Sequence, residues 1–389
     1  MSSLPRRLTP GDPAPWFFAP SAANPRYNFA SAAGRYVLLA FLGPAGSPGA
    51  AALLAAQAEG LLDDRKATAF LLSIDPAETV TDRLPGLRVL QDRDLAVSRL
   101  YGVARPTPGA GGLRFGPTVL LLDPLLRLIA AAPAAQLPAL LDLLRRLPPP
   151  ELHTGQECPA PVLLLPRVLE PEFCARLIAW YQAQGGEESG FMVEREGRTV
   201  GTYDPATKRR RDCQITDPAL QEGLRERLAR RLAPELRKAF HFTATRIERY
   251  IVACYDGAEG GHFRAHRDNT TPGTAHRRFA VTINLNDEFE GGELWFPEFG
   301  PRRYRPPLGG ACVFSCSLLH EARPVTRGLR YATLPFLYDE AAVRLREEGR
   351  KTLATGNGGF AAMPPPGARP LAAVPPTPAG EGTPPRTPA

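Results

Sequence analysis

His266-Arg267-Asp268, followed much later by His320 and, ten residues beyond that histidine, by Arg330, decides how the second half of this chain is read. Residues two apart on a strand point to the same face. The spacing therefore predicts His266 and Asp268 side by side, with a neighbouring strand bringing His320 across to them. Two imidazoles and one carboxylate cover one face of an octahedral ion and leave the other positions open, as non-heme Fe(II) oxygen chemistry requires. Arg330 is expected to open the strand after a Pro324–Gly328 turn, from where its guanidinium could fork onto a carboxylate in the same cavity.

Working outward, the residues around this set alternate with period two. Arg249–Tyr255, Phe279–Leu285, Glu293–Phe296, Ala311–Ser315 and Ala332–Leu337 read as short strands, and Gly260-Gly261, Gly291-Gly292 and Gly309-Gly310 lie in turns between them. Two helical patterns precede the strands. Phe173, Leu177, Ile178 and Tyr181 make one apolar stripe behind Pro171, a favoured first helical residue. Leu220, Leu224, Leu228 and Leu232 make a second, expected to stop at Pro234. Many short strands with glycine turns, covered on one side by helices, predict a double-sheet jelly roll of the cupin sort over residues 161–342.

Residues 1–147 have a different rhythm, alternating strands with helices. Tyr36–Leu42 is a continuous apolar run, as for a strand buried on both faces. A helix over Ala50–Leu62 follows, then strands at Ala69–Ile74 and Leu87–Leu90, a helix at Leu95–Tyr101, strands at Val119–Leu122 and Leu128–Ala131, and a closing helix at Gln136–Leu147. This βαβ…ββα order resembles the thioredoxin-like fold, and Gly11-Asp12-Pro13-Ala14-Pro15 resembles the start of a peroxiredoxin. Pro117 falls where that fold carries a cis-proline. The resemblance implies a peroxidatic cysteine at the start of the helix after Gly43, where a helix N-terminus lowers a thiol pKa. The residues there are Ser47-Pro48-Gly49-Ala50-Ala51, and the first cysteine of the chain is Cys158. Thiol chemistry is thereby excluded, and the domain is expected to be catalytically inactive. A proline-rich linker is expected at 148–160, and a proline- and glycine-rich disordered tail at 343–389, with ten prolines from Met363 onward.

Composition sets the remaining bounds. The 389 residues suffice for two domains, and 22% charged with 43% hydrophobic residues is ordinary for a globular protein. No apolar run reaches membrane-spanning length and the first residues lack a signal-peptide core. With six unpaired-looking cysteines, this gives a cytoplasmic expectation. The net charge of +7 concentrates in Lys208-Arg209-Arg210-Arg211, read as a solvated face or a substrate-side rim. No interleaved aromatic residues accompany it, so nucleic acid is not expected as a partner, nor is a membrane.

Residues 245–339 resemble the catalytic core of a 2-oxoglutarate- and Fe(II)-dependent dioxygenase of the prolyl 4-hydroxylase type. The resemblance is carried by Tyr255, His266-Arg267-Asp268-Asn269, Asn284-Leu285-Asn286, Gly291-Gly292-Glu293-Leu294-Trp295-Phe296-Pro297, and the run His320 to Tyr331. It implies that His266, Asp268 and His320 bind Fe(II) and that Arg330 clamps the distal carboxylate of 2-oxoglutarate. It further implies co-substrate contacts from Tyr255 and Asn284. The implied reaction consumes O2 and 2-oxoglutarate, releases succinate and CO2, and hydroxylates an unactivated C–H of a protein, peptide or small molecule. Ascorbate is a possible reductant. A carboxylate at Asp268, rather than glycine or alanine, favours hydroxylation over halogenation. The competing readings are a thiol peroxidase-like redox protein, opposed by the missing cysteine, and a non-catalytic scaffold, opposed by the complete ligand set. A zinc-protease reading of His262 and His266 lacks the glutamate that chemistry needs.

Overall fold

The computed structural model describes residues 8–43, 47–75, 84–107, 112–353 and 369–371, which form two compact units. The first contains a five-stranded sheet in which Tyr36–Gly43, Ala67–Ser73 and Leu87–Gln91 run parallel. Thr118–Leu122 pairs antiparallel with Tyr36–Gly43 on the other side, and Leu128–Pro133 completes the hairpin. The expected βαβ…ββα order is present. All eight residues of Tyr36–Gly43 are buried, which explains the unbroken apolar run. Helices Pro48–Ala58 and Leu137–Arg146 share an aliphatic core with the sheet through Leu53, Leu137, Leu140 and Leu144. Ser47 caps the first of these helices, accepting a hydrogen bond from the Ala50 N–H. The helix end that the resemblance assigns to a thiol therefore carries an ordinary capping serine. Against expectation, the described residues contain no cis peptide, Pro117 included.

The second unit is built on a large antiparallel sheet. Its main path runs Glu187–Glu188, Arg211–Gln214, Ile251–Asp256, Val325–Thr333, Phe279–Asn284, Phe336–Tyr338, Arg246–Glu248 and Arg369–Pro370. Ala311–Ser315 pairs with Phe279–Asn284 and with Leu163–Leu165. Period two sorts the side chains of this sheet. Val252 and Cys254 join Val281, Ile283, Val313 and Leu337 in a core shared with the helices. Ile251, Ala253 and Tyr255 join Phe289 and Val325 in a separate cluster on the opposite face. Lys208–Arg209, His262–His266, His320–Ala322, Leu294–Trp295 and Arg303–Tyr304 follow one another in a second, five-stranded sheet.

Helix Pro171–Gln184 contributes Phe173 and Leu177 to the helix-side core, and the leucine stripe contributes Leu220, Leu224, Leu228 and Leu232. Pro234 does not end that stripe. The chain passes from helix Pro218–Arg227 through a π turn at Leu228–Leu232 into helix Ala233–Phe240, where Pro234 sits in the first turn. A wide turn absorbs the missing proline N–H and keeps Leu236 in phase with the buried stripe. Leu224 is fully buried. Leu224→Ala is expected to cost about 2–5 kcal/mol of stability, read as a lowered urea midpoint; an unchanged midpoint would contradict the packing.

Two other expectations are corrected. Val325–Thr333 is one continuous strand, so Arg330 lies in its interior and no turn precedes it. Residues 343–350 are not disordered but continue helix Glu340–Arg350, whose N-terminus is capped by Asp339 and whose Ala342 is buried. Too few apolar residues in that helix betray its period. Within the same expected tail, Arg369–Pro370 pairs with Arg246–Ile247 and Leu371 enters the helix-side core. Residues 354–368 and 372–389 lie outside those described.

Candidate active site

The strand His262–His266 ends at His266, and the chain turns at once, so Asp268 lies beyond the strand rather than two places along it. The turn is pinned from below. The Asp268 N–H donates to the Cys316 carbonyl at 3.0 Å, Arg267 donates to the Ser317 carbonyl, and the Asn269 amide donates to Ser317 Oγ at 2.8 Å. Residues 316–317 lead directly into His320–Ala322, a strand of the same sheet as His262–His266. The turn holding one ligand is thus bonded to the segment delivering another.

Each of His266, Asp268 and His320 offers one ligand atom, and the three atoms lie within 4.8 Å of one another. His266 Nδ1 is 2.7 Å from the Arg264 carbonyl, which fixes the proton there and makes Nε2 the ligand nitrogen. Nε2 lies 3.4 Å from Asp268 Oδ1. Adjacent ligands at roughly 2.0–2.2 Å from one ion are about 3 Å apart, so this pair suits a shared ion better than a simple hydrogen bond. The donor set of two imidazoles and one carboxylate fits Fe(II) with open positions. Phe263 stacks on the His266 ring, with centroids 3.5 Å apart, and restricts its rotation.

Arg330 and Tyr255 are directly opposed across neighbouring strands, with the guanidinium carbon 5.0 Å from the tyrosine ring centre. Arg330 is only 2% exposed. Burial lowers its pKa, and among its neighbours Arg210 and Arg305 push the same way. No carboxylate among the described residues pairs with it; its Nε donates to Asn284 Oδ1 at 3.1 Å. Asn284 in turn donates to the Pro306 carbonyl at 2.7 Å. Asn284 thus orients Arg330. The Gly291-Gly292 turn has a direct role: a Cβ on Gly292, whose φ is +70°, would meet Arg330 Cδ and Val325 Cγ2 at 2.9 Å each.

A second set of charges was not singled out from the sequence. Glu248 is buried and accepts from Arg277 at 2.6 Å and from His276. Arg277 also reaches towards the Asp268 carbonyl at 3.5 Å. His276 is buried in this network. The strand that carries Glu248, Arg246–Glu248, holds two charges in three residues and is followed by Arg249, so no local signal marked it. Burial raises the Glu248 pKa, but Arg277 and His276 overcome it and hold the carboxyl well below its ordinary range. The stabilisation is therefore present above the unfolded value near 4.3 and is lost as pH falls below it. Glu248→Gln is expected to lose about 3–5 kcal/mol at pH 7. Its stability should also fall less than that of wild type between pH 5 and pH 3; parallel urea titrations would refute the assignment.

The Lys208–Arg211 run is no uniform solvated face. Lys208 and Arg210 are buried while Arg209 is exposed, as alternation in extended chain demands. Arg210 donates to Asp212 at 2.6 Å and to the Tyr255 hydroxyl at 3.3 Å. The His262 ring nitrogens lie 2.8 and 3.2 Å from the Gly260 and Ala206 carbonyls, away from the ligand set. Cys312 and Cys316 are free and buried, as core cysteines.

Residues 250–338 match the family model of the 2OG-Fe(II) oxygenase superfamily. A PKHD-type hydroxylase of Verminephrobacter eiseniae is 34% identical over 150 residues, 34% of this chain and 63% of the relative, so the chain spans less than two thirds of that protein. A PKHD-type hydroxylase of Paraburkholderia phymatum is 31% identical over 195 residues, 47% of this chain and 80% of the relative. Among solved structures, a Trichoplax adhaerens prolyl hydroxylase in complex with a hypoxia inducible factor peptide fragment matches at 19% identity and TM-score 0.37, covering 50% of this chain and 89% of its own. Peroxidoxin BcpB from Mycobacterium tuberculosis matches at 19% identity and TM-score 0.29, covering 36% of this chain and 99% of its own.

Proposed function

The chain belongs to the PKHD-type hydroxylases and carries a 2OG-Fe(II) oxygenase domain, and from that premise we propose that it hydroxylates an unactivated C–H of a protein, peptide or small molecule, with succinate and CO2 as co-products. The observation that carries the reading is the convergence of His266, Asp268 and His320 donor atoms within 4.8 Å. Fe(II) and 2-oxoglutarate, when bound, would activate O2, which is the oxidant, with 2-oxoglutarate giving up two electrons as it becomes succinate and CO2.

The chain's own residues do the rest. His266 Nε2, an Asp268 oxygen and a His320 nitrogen would hold the iron. Arg330, buried and without a carboxylate partner among the described residues, would take the distal carboxylate of the co-substrate. Asn284 holds Nε of that guanidinium so that its remaining N–H groups face the ligand. The Tyr255 ring lies against Arg330, and its hydroxyl, which accepts from Arg210 at 3.3 Å, would donate a further hydrogen bond to the same carboxylate. The apolar cluster of Ile251, Ala253, Phe289 and Val325 excludes water from that side of the sheet.

Residues 1–147 are read as a redoxin-like domain without redox chemistry, because Ser47 caps the helix where the resemblance assigns the thiol and no cysteine precedes Cys158. The test is anaerobic: metal-free protein receives Fe(II) and 2-oxoglutarate, and the visible metal-to-ligand charge-transfer band is recorded. A band that requires both additions, followed by succinate formation on admitting air, is the expected result. Absence of iron binding would return the scaffold reading. Thiol-dependent peroxide turnover, expected to be nil, would overturn the reading of the first unit.

A further inference from the structure

Lys208 is buried and pairs with no carboxylate among the described residues, and burial together with the neighbouring Arg210 pushes its pKa well below the ordinary lysine value. Its Nζ donates to Ser189 Oγ at 2.7 Å and to the Gly190 carbonyl at 2.6 Å, and lies 4.9 Å from the centre of the Phe263 ring. That ring is the one stacked on the iron ligand His266. The surrounding charge is unbalanced. Arg210 and Arg249 both lean on Asp212, at 2.6 and 3.3 Å, and Ser189 Oγ donates to the same carboxylate at 2.5 Å. One carboxylate thus serves two guanidiniums, and Lys208 adds a third cation within the same network. Arg210 Nε is buried and lacks a partner. A buried charge left without compensation is costly. The cluster borders the proposed co-substrate side: the Tyr255 ring lies 5.0 Å from the Arg330 guanidinium and 5.6 Å from that of Arg210.

We propose that Lys208, supported by Arg210, is the counter-charge for an anionic group on the primary substrate, so that this hydroxylase oxidises a carbon next to a carboxylate, sulfate or phosphate. The inference rests on the proposed function, in which Arg330 and the iron already take the two carboxylates of 2-oxoglutarate. An anion beside Lys208 would offset the burial and the Arg210 charge that disfavour its ammonium form, and the primary substrate is the remaining component of the complex. Alternation buries Lys208 and Arg210 while exposing Arg209, so the two cations face inward rather than the protein surface.

The probe is radiolabelled inorganic sulfate, dialysed to equilibrium at low ionic strength against the full chain saturated anaerobically with Fe(II) and 2-oxoglutarate. Saturation keeps Arg330 occupied. Wild type is expected to retain one sulfate that Lys208→Met binds at least tenfold more weakly, with Lys208→Arg recovering most of the affinity. Unlabelled acetate and phosphate, added as competitors, show which anion the site prefers. Equal sulfate binding by wild type and Lys208→Met, both showing the charge-transfer band, would overturn the proposal. Should the methionine variant fail to fold, Lys208→Gln keeps a donor for Ser189 Oγ or Gly190 while removing the charge, and carries the same comparison. If wild type itself shows no charge-transfer band, the iron and co-substrate reading has failed. Sulfate dialysis of the metal-free proteins then still decides whether Lys208 binds an anion.

Discussion

His320→Ala is expected to abolish iron binding at micromolar metal and, with it, all 2-oxoglutarate turnover. His320 is a buried strand residue whose imidazole completes the ligand set with His266 and Asp268. Structural metal sites with four protein ligands are worth about 10–16 kcal/mol, or roughly 3–4 kcal/mol per ligand. Losing one of three should weaken iron binding by on the order of 1000-fold. The fold should survive, because the alanine replaces one side chain in a three-residue strand and leaves both large cores untouched. Metal content after anaerobic loading, the charge-transfer band and succinate release should all vanish together, while the thermal transition of the metal-free protein moves little. A variant that still loads one iron per chain and releases succinate at the wild-type rate would show that the three residues do not act as a ligand set.

Arg330→Met should separate co-substrate from metal. The methionine keeps the apolar bulk of the side chain but presents nothing to a carboxylate. Removing one partner of a buried, hydrogen-bonded charge pair costs about 2–5 kcal/mol, so affinity for 2-oxoglutarate should fall by roughly 30-fold to several thousand-fold. Iron binding without co-substrate should stay within a few-fold of wild type, and the charge-transfer band should return at high 2-oxoglutarate. Arg330→Lys is not expected to rescue, because an ammonium cannot reproduce the fork and would leave Asn284 Oδ1 without its Nε donor. A 2-oxoglutarate KM unchanged from wild type in either variant would remove Arg330 from the site.

These two residues also show how far the sequence could be read. His266, Asp268, His320 and Arg330 stand at spacings that only a shared cavity makes sense of, and the period-two strands around them announce the sheet. Long apolar runs such as Tyr36–Gly43 were equally legible, because a strand buried on both faces has little choice of residues. What escaped was set by neighbours distant in sequence. Nothing local says that Glu248 meets His276 and Arg277 or that Lys208 is buried, since the burial of a charge depends on which strand pairs with its own. Pro234 looked like a stop because its ring is incompatible with a regular α-helix, yet a single π turn accommodates it. Asp268 looked like a strand residue because spacing cannot distinguish a strand end from a strand interior. Arg330 keeps its partner Tyr255 whether its strand begins at Val325 or later, so an error in the strand boundary left the site reading intact.

The pairing of Arg369–Pro370 with Arg246–Ile247 has a consequence for the life of the molecule in solution. It covers what would otherwise be the last strand of the large sheet, and Leu371 fills a place in the core behind it. An uncovered strand is a template on which another chain can add. A chain shortened to end before Arg369 should therefore fold, bind iron and slowly self-associate through that bare edge, a tendency that light scattering would register and that the 389-residue chain should lack.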